Sequence, residues 1–119
     1  FRVLGVPTST LICHDKRYPE LVRLPVLAGA RLICYLACEA WHDDLPLPYH
    51  RSPPWSKERL EAELAVYRSQ LQARAVENKV WVVKANTAGS REVPSKGSHG
   101  MSCVIDPTGS LEGDSGWLT

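Results

Sequence analysis

A chain of 119 residues has room for one domain or part of one, and a chain of that size buries roughly 65% of its unfolded surface, enough for a single core. Its 44% hydrophobic and 23% charged residues put it among ordinary globular proteins, and a formal net charge of +1 gives no field that would recruit nucleic acid or an anionic membrane. No apolar run approaches the ~18 residues of a membrane span, and no basic stretch leading into an apolar one opens the chain as an export signal would.

The first residues, "FRVLGVPTSTLIC", place two β-prone runs around the Gly/Pro punctuation "GVPT" and predict a hairpin. Strand-like residues at the very start and a single methionine, Met101, lead us to expect a piece of a longer protein. A helix is predicted from Tyr18-Pro19, because proline costs nothing at a first helical position and Glu20 suits the positive end of the dipole. It runs through Leu21, Leu24 and Leu27 to Gly29 as the residue after the cap, with Pro25 expected to bend or shorten it. "RLICYLACEA" is a continuous apolar run, the pattern of a strand covered on both faces, so strand, helix and strand make a βαβ unit. The proline-rich stretch from Trp41 to Trp55 reads as a long irregular loop.

Ser56 is placed to cap a second helix, in which Leu60, Leu64, Tyr67 and Leu71 recur at helical spacing and Asn78 is the stop. "VWVVKAN" is a third buried strand, "TAGSREVPSKGSHG" a loop, "MSCVID" a fourth strand and "PTGS" a turn. "LEGDSGWLT" is a tail or the start of another strand.

The cysteines, Cys13, Cys34, Cys38 and Cys103, are too few and too unevenly spaced for a disulfide scaffold, and are expected to be reduced thiols of a cytoplasmic protein. Cys34, Cys38, His42 and His50 could be read as zinc ligands. Strand geometry argues against it, since it separates Cys34 from Cys38 by about 13 Å.

Cys13 is followed directly by His14 and Asp15. These cannot be a ready-made thiol, base and orienter if Cys13 is still in a strand, because successive strand side chains point to opposite faces. The position has another merit. A cysteine at a strand end, shortly before a helix, can be exposed with the next backbone N–H aimed at a developing oxyanion, and a nearby helix N-terminus favours thiolate. On spacing alone, a buried thiol at a strand end is the better explanation of the residue.

The wider wording of the sequence is more specific. "ICHDKRYPELVRLPVLAGARLI" resembles the nucleophile segment of the nitrilase superfamily of carbon–nitrogen hydrolases, with Cys13, Asp15, Arg17, Tyr18, Pro19, Glu20, Gly29 and Ala30 at matching places. "QARAVENKVWVVKAN" and "SHGMSCVIDPTGSL" resemble two later motifs of that superfamily, in the same order. The resemblance implies an α/β fold, part of an αββα four-layer sandwich, with residues 1–119 forming the C-terminal portion of the domain and its N-terminal half absent. It also implies a Cys–Glu–Lys triad with Cys13 as nucleophile and the His14 backbone N–H as one oxyanion donor, no metal or organic cofactor, and a homodimer or higher oligomer. The glutamate and lysine would lie upstream, yet residues 1–12 contain neither. None of the downstream glutamates and lysines sits in the matching motif, so none is promoted to a role.

Asp15, Arg17 and Glu20 are expected to hold the turn and the helix start, and Arg74, Glu77 and Asn78 to close a helix end. Asn86 either lines the pocket or caps a turn, and it joins Trp41 as a candidate substrate contact. Tyr49, Trp55, Asp43 and Asp44 would shape the mouth of the pocket from the same loop as Trp41. Cys13-His14-Asp15 departs from the Cys-Trp-Glu of the superfamily's nitrile-hydrolysing branch, which favours a small amide or N-carbamoyl substrate and a cysteine thioester intermediate. The competing reading is a catalytically inactive remnant that binds partners or oligomerises.

Overall fold

A computed structural model describes residues 1–39, 57–88 and 100–116, with the side chains of residues 57, 59 and 60 excepted. The loop from Trp41 to Trp55, and with it Ser56, His42 and His50, lies outside the described residues.

Six strands form one sheet in sequence order. β1 (Arg2–Val3) and β2 (Val6–Ile12) form the predicted hairpin, but the turn is Leu4-Gly5 and β2 runs through Val6 and Pro7. Both turn residues have positive φ, +48° and +84°, the twist that a tight two-residue hairpin requires. β3 (Leu32–Ala37) and β4 (Trp81–Asn86) lie parallel to β2, which makes β2–α1–β3 the expected βαβ unit. β5 (Cys103–Ile105) and β6 (Leu111–Asp114) complete the sheet antiparallel, so "LEGD" is a strand rather than a tail.

Helix α1 (Pro19–Leu27) begins at Pro19 as predicted and continues two residues past Pro25. It ends where Gly29, at φ +105°, takes the left-handed conformation that favours glycine. Helix α2 (Lys57–Asn78) buries Leu64 and Leu71, while Tyr67 is half-buried. Asn78 stops α2 as expected: its Nδ2 donates to the Arg74 carbonyl at 2.9 Å, and Lys79 turns to φ +56°.

Both helices cover the same face of the sheet. Leu11, Ile33, Tyr35, Val82, Cys103 and Ile105 meet Val22, Leu71 and Ala75 in one core. Among the described residues, only this one face of the sheet is covered. On the other face Ile12, Leu36 and Trp81 are 63%, 48% and 44% exposed. Their apolar side chains suit a second covering layer, but no described element packs there.

Candidate active site

The three parallel strands all end on one edge of the sheet, the usual place for a ligand site in such folds. Cys13 sits there. β2 ends at Ile12, and a short 3₁₀ turn, Cys13–Arg17, carries the chain toward α1. Cys13 enters that turn at φ +49°, a left-handed conformation that costs a non-glycine residue about 1–2 kcal/mol. The side chain is half-buried. A strained residue between a strand and a helix lifts its side chain out of the sheet, the device that presents a nucleophile.

This geometry corrects the argument from strand alternation. Cys13 has already left the strand, so the His14 side chain does not point away: its Nδ1 lies 3.6 Å from the Cys13 Sγ. Asp15 holds the turn, as expected of it, with its Oδ2 accepting the Ile12 N–H at 2.8 Å. Arg74 does more than close a helix end. It pairs with Glu77 at 2.8 Å, and its Nε donates to the Lys16 carbonyl at 3.1 Å, so α2 grips the cysteine turn directly.

Beneath the turn lies a group that the sequence reading did not single out. Register places Leu11, Tyr35, Lys84 and Cys103 in one row across the helix-covered face. Lys16 enters this layer from the turn, and Glu39 from the end of β3. Lys16, Glu39, Tyr35 and Lys84 are all at least 93% buried. Glu39 Oε1 pairs with the Lys16 ammonium, and Oε2 accepts from Lys84 Nζ at 2.6 Å. Lys16 Nζ also donates to the Tyr35 hydroxyl at 3.1 Å, and that hydroxyl donates to Glu39 at 3.4 Å. On the far side, Lys16 Nζ sits 4.3 Å from the centre of the Tyr67 ring.

Two lysines thus share one carboxylate. Burial, reinforced by the like charge of Lys84, lowers the Lys16 ammonium to about 8, and burial lowers Lys84 as well. Burial raises the Tyr35 hydroxyl, and burial together with its bond to Glu63 raises Tyr67 to about 12.

The signal for this group was in the sequence. Lys84 and Glu39 interrupt or end apolar strand runs, and a charge in such a place requires a partner.

Asn86, at the end of β4, is a clasp. Its Oδ1 accepts the Glu39 N–H at 2.8 Å, and its Nδ2 donates to the carbonyls of Glu39 at 3.3 Å and Gly100 at 2.9 Å. Among the described residues no group of three or more His, Cys, Asp or Glu is placed to hold a metal ion. Cys34 stands on the sheet and Cys38 receives a contact from the Thr87 hydroxyl at 3.5 Å.

The carbon-nitrogen hydrolase family profile matches residues 2–119. The chain belongs to that family. It is 33% identical over 92% of its length to a hydrolase in the agr operon of Staphylococcus aureus, and 34% identical over 98% of its length to a 2-oxoglutaramate amidase of Bacillus subtilis. It spans 34% and 36% of those proteins, about a third of each. Among solved structures, a glutamate-to-glutamine variant of the amidase from Nesterenkonia sp. AN1, with acrylamide added at its active site cysteine, is similar at a TM-score of 0.70 and 28% identity. That match covers 98% of this chain and 37% of the amidase. The six-stranded α/β architecture is similar to that of a Nesterenkonia AN1 amidase from the nitrilase superfamily, at a TM-score of 0.70 and 27% identity. Among the described residues, no helix is long and apolar enough to cross a membrane.

Proposed function

We propose that the protein carrying this chain is an amidase that cleaves non-peptide carbon–nitrogen bonds of a small amide or N-carbamoyl substrate, with Cys13 as the nucleophile. The observation that carries the reading is the left-handed strand-end position of Cys13 at the edge where the parallel strands finish. Family membership and the similarity to amidases support it.

In this mechanism the Cys13 thiolate attacks the carbonyl carbon, and the carbonyl electrons move onto oxygen, where the His14 backbone N–H is one donor. Collapse of that intermediate breaks the C–N bond and leaves a thioester on Cys13, while the nitrogen departs with a proton from a general acid. Water then attacks the thioester, giving up a proton to the same group acting as base, and frees the carboxylic acid and the Cys13 thiolate, which restores the starting state. The glutamate and lysine that complete such a site come from outside residues 1–119. Asn86 serves the site by fixing the segment after β3 against the one before β5.

The test uses the full reading frame that encodes this chain. Ammonia or amine release is measured from amides, N-carbamoyl compounds and nitriles, beside mass analysis of a Cys13 adduct with acrylamide. Turnover of amides that Cys13→Ala abolishes, together with an adduct on Cys13, is the expected result. Turnover that survives Cys13→Ala, or nitriles hydrolysed in preference to amides, overturns the reading.

A further inference from the structure

The buried ions beneath Cys13 are placed to do something that stability does not explain. An ion pair taken out of water gains little over well-packed apolar residues of similar volume, because desolvation offsets the attraction. Here two ammonium groups and one carboxylate are buried together, a costly arrangement for packing alone.

Their attachment points are informative. Cys13 and Lys16 are the first and fourth residues of the same short 3₁₀ turn. Fixing Lys16 therefore fixes the turn that carries Cys13. Lys16 is held at both ends, by Arg74 of α2 on its carbonyl and by Glu39 and Tyr35 on its ammonium. Glu39 in turn is fixed to the sheet by Lys84 through its carboxylate and by Asn86 through its backbone. The chain of contacts runs from the sheet, through one carboxylate and one ammonium, to the turn that carries the thiol.

We propose that Glu39 and Lys16 are positioning residues: the Glu39 carboxylate holds the Lys16 ammonium and, through it, sets the orientation in which the Cys13 thiol is presented. This deepens the reading of Cys13 as nucleophile and rests on it. Neither residue touches the substrate. Their effect is on how often the thiol occupies the attacking orientation, which is read in kcat and in thiol reactivity rather than in KM.

The test uses the full reading frame with Lys16→Met, Glu39→Gln and the double variant. Lys16→Met leaves Glu39 paired with Lys84 and keeps an unbranched side chain of similar reach, so it remains informative if Glu39→Gln does not fold. The measurements are the rate of iodoacetamide alkylation at Cys13 by mass spectrometry, kcat, KM and Tm. Gly109→Ala is the comparison variant. It strains the β5–β6 turn, which follows Ile105 and so lies at the opposite end of the parallel strands.

Lys16→Met is expected to slow alkylation and kcat by about tenfold with KM within about twofold, the scale of a misdirected reacting group. The double variant should be no worse than the more impaired single, as for residues that act as a unit. Gly109→Ala should lower Tm without changing Cys13 alkylation. Alkylation and kcat unchanged in Lys16→Met overturn the proposal, as does an equal loss in Gly109→Ala, which would mean general loosening. If the parent protein shows no Cys13-dependent hydrolysis, the amidase reading fails, and the alkylation rates alone still decide whether the pair orients the thiol.

Discussion

The Asn86 side chain bonds the backbone of Glu39 in both directions, accepting its N–H at 2.8 Å and donating to its carbonyl at 3.3 Å. The same amide reaches the Gly100 carbonyl at 2.9 Å, so one side chain ties together the chain leaving β3 and the chain entering β5. Asn86→Ala would strand the Glu39 N–H and free two carbonyls. It is expected to lower stability by about 2 kcal/mol in denaturant titration, a net loss of several hydrogen bonds. An unchanged midpoint would show that the clasp is not needed to hold these segments.

The Lys16 ammonium makes stability depend on pH. Its folded value, lowered to about 8, means that between about 8 and its unfolded value of 10.5 the unfolded chain binds more protons than the folded one. Stability from this group therefore rises with pH across that window, by at most about 3 kcal/mol. Lys84 acts in the same direction. Tyr35, Tyr67 and Cys103, all raised by burial, act oppositely once their unfolded forms ionise. Glu39, Glu63 and Arg17 face the same group. The difference between wild type and Lys16→Met isolates the lysine: denaturation midpoints at pH 7.5 and 9.5 should show a smaller pH gain in the variant. Equal gains in both would mean that Lys16 does not titrate in this range.

Gly109 is held by two constraints at once. Its φ is +87°, and a Cβ placed there would lie 2.8 Å from Val76 Cγ2 on α2. Gly109→Ala should lower stability by about 1–3 kcal/mol, since left-handed strain adds to crowding at a packed helix. A Tm equal to wild type would show that the turn relaxes freely. The neighbouring Asp106 explains why it should not. Its Oδ1 accepts from the Thr108 hydroxyl at 2.7 Å and from the N–H groups of Ser110 at 2.9 Å and Thr108 at 2.8 Å, which pins the turn and holds the Asp106 carboxyl below its ordinary range.

Residues 1–119 alone are expected to turn over no amide. Removing members of a concerted catalytic unit costs on the order of a millionfold in rate, and the region before Cys13 has no glutamate or lysine. Ammonia release by the 119-residue chain, lost on Cys13→Ala, would instead place the base within these residues.

The same chain is expected to self-associate. The sheet face that no described element covers displays Ile12, Leu36 and Trp81, and exposed apolar sheet surface pairs with other copies. Sedimentation velocity at micromolar concentration should show species larger than the monomer. A monomer with a sharp melt would show that the face tolerates water.

Much of this architecture was legible in the residues. Continuous apolar runs gave the parallel strands, Pro19 and Asn78 marked helix ends, and "PTGS" marked the β5–β6 turn. The turn at Leu4-Gly5 was missed because the proline of "GVPT" drew attention two residues too far along, and leucine is a poor advertisement for positive φ. The contact between Cys13 and His14 was missed for a related reason: one left-handed residue ends strand alternation, and nothing in the identity of a cysteine announces it. The ion group was hidden differently. Lys16, Glu39 and Lys84 lie far apart in the chain, and only the fold, through the turn after β2, the end of β3 and the middle of β4, brings them together.

The central pairings also set how the molecule reaches its structure. Thr8 pairs with Leu32, and Leu32 with Trp81, so each parallel neighbour must be found across a long intervening stretch of chain. Loop closure is unfavourable until such contacts form, which makes parallel pairing slow relative to a local hairpin. The β1–β2 and β5–β6 hairpins, at the two ends of the sequence order, are therefore expected to form before the middle of the sheet. Cys13 is carried by the end of β2, so its orientation is set only when β3 arrives with Glu39. Before that pairing the thiol is expected to react as an ordinary cysteine, and to become a directed one once β3 is in place.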